Sequence, residues 1–137
     1  MNPYQYRNQY CNYKMNNTKL TLIVEDDKPL QIIYERLLVS MGLEAVVVPD
    51  GRQAMAFLQH QTPALIFLDM LLPYVSGVEI LDYMASEARV ANTHVVIVSS
   101  NLEFSRYQHT IASAQFHLKP ILPSQIRYIV KHHFKLV

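Results

Sequence analysis

The chain has little cysteine, little glycine and no long apolar run. One cysteine, Cys11, in 137 residues excludes an intramolecular disulfide framework; it reads as a free, exposed thiol. One cysteine and six scattered histidines also leave no zinc-binding pattern. With three glycines in all there is no Gly-rich phosphate loop, so nucleotide or flavin binding through such a loop is not expected. No apolar run reaches the length of a membrane span. The stretch from Met1 to Asn17 is polar with no apolar middle region, so a signal peptide is not expected. A soluble, cytoplasmic protein with no membrane role is the expectation. Acids are missing from the last quarter: from Phe104 onward there are five basic residues (Arg106, Lys119, Arg127, Lys131 and Lys135) and no Asp or Glu. Such an end can meet nucleic acid or an acidic partner. It reads first as a solvated helix face with one lysine needed elsewhere, and nucleic-acid contact is not expected.

What is present is alternation. The length suits one domain with a substantial core. Residues 1–18 form a polar extension rich in Asn and Tyr (Tyr4, Tyr6, Tyr10, Tyr13) with no core of its own. Leu20 to Val24 reads as a first buried strand, followed by a helix from Lys28 to Met41 with Leu30, Ile33, Leu37 and Leu38 as its apolar stripe. Glu44 to Val48 is a second strand. A helix then starts at Asp50-Gly51 and turns Ala54, Phe57 and Leu58 inward. After the Thr62-Pro63 break comes the most apolar stretch, Ala64 to Asp69, five apolar residues running into one carboxylate. A run of this kind reads as a strand buried on both faces. Val78 to Ala85 is a third helix, with Val78, Leu81 and Ile80 toward the sheet. His94 to Val98 is a fourth strand, and a weakly patterned helix covers Glu103 to Ala112. Gln115 to Leu118 is a brief fifth strand. Pro123-Ser124 opens a last helix with Ile126, Ile129, Val130 and Phe134 inward. Strands alternating with helices imply a parallel sheet with helices on both faces, here over residues 19–137.

The strand ends carry the chemistry. The first ends in Glu25-Asp26-Asp27, the third in Asp69, the fourth in Ser99 and the fifth in Lys119. An Asp after a strand is commonly a turn or cap residue, so Asp69 alone decides nothing. In open parallel sheets, however, sites form at the carboxyl ends of the strands. If strands one, three, four and five are neighbours, all these groups meet. Clustered carboxylates repel unless a cation joins them. An oxygen-only set with no His or Cys suits a hard ion such as Mg²⁺. A carboxylate beside such an ion, a lysine and a hydroxyl is suited to accept a phosphoryl group as an aspartyl phosphate. Asp27 reads as a helix N-cap. His132 and His133 read as surface residues at a helix end, and His94 and His117 as strand residues needing a local partner.

These residues also carry a resemblance. From Lys19 to Val137 the chain resembles the receiver domain of bacterial two-component response regulators. The shared pieces are Leu-Ile-Val-Glu25-Asp26-Asp27, Leu68-Asp69 with Pro73 and Gly77, Val98-Ser99, and Phe116-His117-Leu118-Lys119-Pro120. They fall in order, with Asp69 43 residues after Asp26, Ser99 30 after Asp69, and Lys119 20 after Ser99. The resemblance implies a flavodoxin-like (βα)5 fold, a doubly wound five-stranded parallel sheet of order 2-1-3-4-5. It implies Asp69 as phosphoacceptor for a sensor histidine kinase or phosphotransfer protein. Asp26 would hold Mg²⁺ directly and Glu25 through water, with the Leu71 backbone carbonyl completing the protein ligands alongside Asp69. Lys119 would bridge Asp69 and the phosphoryl group, Ser99 would move toward it, and Phe116 would follow as the switch aromatic. The surface of the fourth helix, fifth strand and fifth helix would then change, for a downstream protein target or for a phosphorylation-dependent homodimer.

The chain departs from the family pattern at a few places. Ser100 stands where Ala is commonest, and Ala112-Ser113-Ala114 lacks the usual Gly. Leu71 is apolar at an often polar position, and the expectation is that it shields the acyl phosphate from water; Asn101 is the other position expected to tune that rate. The alternative reading is a pseudo-receiver, an interaction module that works without phosphorylation; intact Asp26, Asp69 and Lys119 oppose it. An enzyme turning over external phosphoesters is not expected. A haloacid-dehalogenase-type enzyme would want an acid where Leu71 stands, so slow self-dephosphorylation is the most activity foreseen.

Overall fold

A computed structural model describes residues 19–111 and 113–136. The N-terminal extension with Cys11 and its tyrosines, as well as Ala112, lies outside the described residues. Five strands, β1 (Leu20–Val24), β2 (Glu44–Val48), β3 (Leu65–Asp69), β4 (His94–Ser99) and β5 (Ala114–Leu118), form one sheet in the order β2-β1-β3-β4-β5, with every pair parallel. β1 and β3 are buried at every residue, as their uninterrupted apolar runs require. The expected doubly wound topology is present.

Connection handedness explains the layers. From β1 the chain steps outward to β2, then returns across β1 to β3, β4 and β5. Right-handed crossovers therefore put the first helix on one face and the next three on the other. The two cores follow this division. α1 (Lys28–Ser40) and α5 (Pro123–Phe134) bury Tyr34, Leu37, Leu38, Ile126, Ile129 and Val130 against Ile23, Phe67, Val96 and Val98. α2 (Gly51–Leu58), α3 (Gly77–Ser86) and the 3₁₀ segment α4 (Leu102–His109) cover Leu22, Ile66, Leu68 and Ile97 on the opposite face. The direction of winding reverses between β1 and β3, which is where a doubly wound sheet opens a crevice.

Side chains at the helix starts fix where the crevice loops end. Asp27 Oδ2 accepts from Leu30 N–H at 3.1 Å, Asp50 Oδ1 from Gln53 N–H at 2.8 Å, and Ser76 Oγ from Glu79 N–H at 3.2 Å. Each satisfies a helix N–H that has no partner within its own helix. Asp27 is thereby the N-cap that its position foretells.

Two expectations need correction. Ile33 does not line the core; it is 40% exposed, and Tyr34 is buried in its place with its ring 5.0 Å from that of Phe67. At about 100° per residue, Tyr34, Leu37 and Leu38 share the inward face, and Ile33 falls at its margin beside exposed Ile32. The fourth helical segment is 3₁₀ from Leu102 to His109, not a helix from Glu103 to Ala112, and it buries no residue fully. Without an apolar stripe it has nothing to hold an α-helix of that length against the sheet; only Phe104 and Tyr107 of this segment pack partly onto the core.

Candidate functional site

Four strand ends deliver the site. After β1, Glu25 N–H donates to Val48 O at 3.1 Å, extending the sheet by one residue and turning the Glu25 side chain inward. Glu25 is 2% exposed, and its Oε1 accepts from Asp27 N–H at 3.2 Å. Gln31 Nε2 donates to the Glu25 carbonyl at 2.6 Å, tying α1 to this turn. Asp26 is exposed beside it. At the end of β3, Asp69 is 5% exposed, with Oδ1 accepting from Leu71 N–H at 3.1 Å. Carboxylate oxygens of Glu25, Asp26 and Asp69 lie within 4.8 Å of one another.

β5 brings in the opposing charge. Lys119 N–H donates to Ser99 O at 2.9 Å, and the Lys119–Pro120 peptide is cis. Lys119 Nζ then donates to Asp69 Oδ2 at 2.9 Å and stands 3.4 Å from Glu25 Oε2. Ser99, ending β4, is buried; its Oγ accepts from Asn101 N–H at 3.1 Å, a bond that leaves its own proton unused. Phe116 is half-buried beside Ile97, on the face of the sheet toward which alternation along β4 also turns Ser99, against the core beneath α4. Leu71 is 58% exposed just past Asp69. A cleft open to solvent lies between the turn after β1 and the turn after β5, lined by Glu25, Asp26, Asp27, Leu30, Lys119 and Ile121 among others.

One ammonium faces three carboxylates, and the electrostatics reflect the shortfall. Burial, and next the Asp69 charge, push the Glu25 carboxyl up to about 7 against the pull of Lys119. Burial works against the charge on Lys119, but the Asp69 hydrogen bond and the charges of Glu25 and Asp69 outweigh it, so the ammonium is held above its usual range. Tyr34, packed on Phe67, is raised by burial first and then by Glu25 and Asp69. A set of carboxylate oxygens at this spacing fits a hard divalent cation, which would supply the missing positive charge.

Three features near or below the site were not foreseen. Tyr34 is the buried neighbour of the carboxylates. Arg52 of α2 lies over the ring of Tyr74 in the loop after β3. His94, foreseen only as a strand residue with a local partner, belongs to a longer polar chain at the lower edge. It pairs with Ser113 Oγ and Gln115 Nε2, whose amide oxygen meets His117 Nε2, and it stacks on His133 of α5. The isolated residues give no sequence signal for these contacts, because each joins different elements.

Comparison with known proteins fits this geometry. The family model described as "Response regulator receiver domain" matches residues 21–131. The chain is 24% identical over 114 residues to Protein PilG of Pseudomonas aeruginosa, covering 82% of this chain and 84% of PilG. It is 26% identical over 112 residues to the regulatory protein LuxO of Vibrio vulnificus, covering 80% of this chain but 24% of that longer protein. Among solved structures, the receiver domain of the sensor histidine kinase PA1611 of Pseudomonas aeruginosa superposes with a TM-score of 0.74 at 22% identity, covering 85% of this chain and 98% of that one; that structure has a magnesium ion in its active-site cleft. Among the described residues no helix is long and apolar enough to cross a membrane. With a family model spanning most of its length, this chain belongs to the response regulator receiver domain family.

Proposed function

We propose that this chain accepts a phosphoryl group on Asp69 from a histidine kinase or phosphotransfer protein and passes the change to a downstream protein. The observation that carries the reading is the pair of contacts made by Lys119, to Asp69 at 2.9 Å and to Glu25 at 3.4 Å. They join the first, third and fifth strand ends in one pocket. Receiver domains bind Mg²⁺ at an acidic cluster. Here Asp26 and Asp69 would hold it, with Glu25 acting through water and the Leu71 carbonyl completing the set. When bound, the ion offsets negative charge on the entering phosphoryl oxygens.

The chain's own groups account for the rest. An Asp69 carboxylate oxygen attacks phosphorus, and the O–P bond forms as the bond from phosphorus to the donor nitrogen breaks. Lys119 holds the carboxylate beforehand and afterwards pairs with a phosphoryl oxygen, and Ser99 donates its unused proton to another. The modified residue carries roughly −1.5 to −2 charge, so drawing Ser99 inward opens space beside Phe116 on β5. Leu71 hinders water, and Leu71→Asn is expected to lose phosphate faster.

Incubation with a small phosphodonor tests the reading. A mass gain of one phosphoryl group that requires Mg²⁺ and vanishes in Asp69→Asn is expected. No gain with Mg²⁺ present would leave the phosphorylation-independent interaction module as the better account.

A further inference from the structure

The loop that leaves Asp69 is fixed at both ends. Met70 N–H donates to Val98 O at 3.4 Å, and Gly77 N–H to Met70 O at 3.3 Å. A Cβ on Gly77 would stand 2.8 Å from Met70 Cα, so the start of α3 sits directly on the start of the loop. In the middle, Pro73 O accepts from Gly51 N–H at 3.4 Å and from Val75 N–H at 2.9 Å. A Cβ on Gly51 would meet Val75 O at 1.7 Å. The first residue of α2 is thus a floor that the loop touches with backbone, and only glycine leaves room for it.

Above that floor the restraint is different. Tyr74 has φ +69°, a left-handed conformation that a bulky L residue rarely adopts. Its ring is 65% exposed, so burial does little to hold it there. The Arg52 guanidinium carbon lies 4.0 Å from the ring centroid, well inside cation–π range. Arg52 follows Gly51, so the floor and the restraint come from one helical turn. Between Tyr74 and Leu71 stand only Leu72 and Pro73, and Pro73 has a fixed φ. A change at Tyr74 is therefore passed to Leu71 through a short, stiff segment.

We propose that Arg52 and Tyr74 form a latch that holds the loop after the phosphoacceptor and so positions the Leu71 carbonyl for a divalent cation. This rests on the reading of the site given above. Arg52 is a positioning residue: it acts through Tyr74 and touches neither Asp69 nor the cation. With the latch closed, the carbonyl is ordered before the ion arrives. With the latch open, that ordering is charged against binding.

The test uses the full chain as wild type, Arg52→Ala, Arg52→Lys and Tyr74→Phe. Two quantities are measured: the Mg²⁺ dissociation constant by calorimetry, and amide hydrogen exchange at Leu71, Leu72 and Val75 without metal. Arg52→Ala is expected to weaken Mg²⁺ binding and to speed exchange at those amides, each by about two- to fivefold, the range of an exposed cation–π contact. Tyr74→Phe, which keeps the aromatic face, is expected to match wild type, and Arg52→Lys to fall between. Wild-type exchange in Arg52→Ala overturns the latch. Faster exchange with unchanged Mg²⁺ affinity overturns its link to the cation. If the wild-type chain binds no Mg²⁺ at all, the reading of the site fails along with the cation half of the proposal, whereas normal wild-type binding with an unaffected Arg52→Ala overturns the proposal alone.

Discussion

Among the described residues two polar clusters lie on the sheet, and they are built on opposite plans. At the carboxyl ends of the strands, Glu25 and Asp69 share one lysine, with the Asp26 carboxylate beside them. At the lower β4–β5 edge, Ser113, His94, Gln115 and His117 form a neutral chain in which each member has a partner. Gln115 Nε2 donates to His94 Nε2 at 2.7 Å, so the His94 proton sits on Nδ1 and goes to Ser113; Gln115 Oε1 accepts from His117 Nε2–H at 2.7 Å. The lower cluster is complete as it stands. The upper one lacks positive charge while sitting in a buried setting, where like charges cost most. A site for an anion-transferring reaction needs that kind of unfinished balance, and a structural network does not.

The largest test of this contrast removes the one cation of the upper cluster. Lys119→Met leaves Glu25 and Asp69 uncompensated. Removing one partner of a buried pair costs about 3–5 kcal/mol, and Lys119 is 26% exposed, so a loss of about 2 kcal/mol is expected at neutral to alkaline pH. Chemical denaturation checks it. Added Mg²⁺ should return much of the loss, because it supplies the same charge.

The two clusters also answer pH in opposite directions. The folded Glu25 carboxyl lies at about 7, above its ordinary value of 4.5, so the folded state binds a proton that the unfolded chain releases. Its contribution is full below 4.5 and is lost as pH rises through about 7. Metal-free stability should fall across that window, and Mg²⁺ should flatten the slope. His94 and His117 are held below their ordinary 6.5, chiefly by burial, with His133 adding to the shift at His94. Their neutral forms belong to the fold, so their contribution is intact above 6.5 and is lost as pH falls below it. A stability profile measured with saturating Mg²⁺ should keep only this acid-side loss.

These effects separate what could be read from sequence and what could not. The upper cluster was legible because each member follows an apolar strand, and strand ends of a parallel sheet converge whatever the loops do. Asp27 as a cap was legible because capping is local. Tyr34 was not: a polar-tipped aromatic next to Ile32 and Ile33 does not register as the core residue, and only packing on Phe67 selects it. The 3₁₀ form of α4 follows from a missing apolar stripe, which signals weakness without saying which helix results. The stack of His94 on His133 joins a strand start to a helix end, and nothing near either residue announces the other. His132 and His133 are exposed as expected, but surface position did not prevent His133 from taking a tertiary partner.

Breaking the lower network should cost less than breaking the upper one. Gln115→Leu leaves His94 Nε2 and His117 Nε2 without their shared partner. Both rings are only half-buried, and water can reach them. A loss of about 1 kcal/mol is expected, with phosphorylation of Asp69 unaffected. Equal losses in Gln115→Leu and Lys119→Met, with neither restored by Mg²⁺, would remove the distinction between the clusters.

Thr21 supplies the control, a polar group with neither charge nor partner. It lies in β1 between Ala45 of β2 and Leu65 of β3, fully buried, and its Oγ1 has no hydrogen-bond partner. Alternation along the strand puts it on the side of Ile23, beneath α1 and α5. An unpaired hydroxyl in such a place has lost its water and gained nothing in return. Thr21→Val exchanges the hydroxyl for a methyl group of similar shape. It should therefore stabilise the chain, by about 1 kcal/mol, with no pH dependence and no response to Mg²⁺. A destabilised Thr21→Val would mean that the hydroxyl does have a partner in solution, a buried water being the simplest.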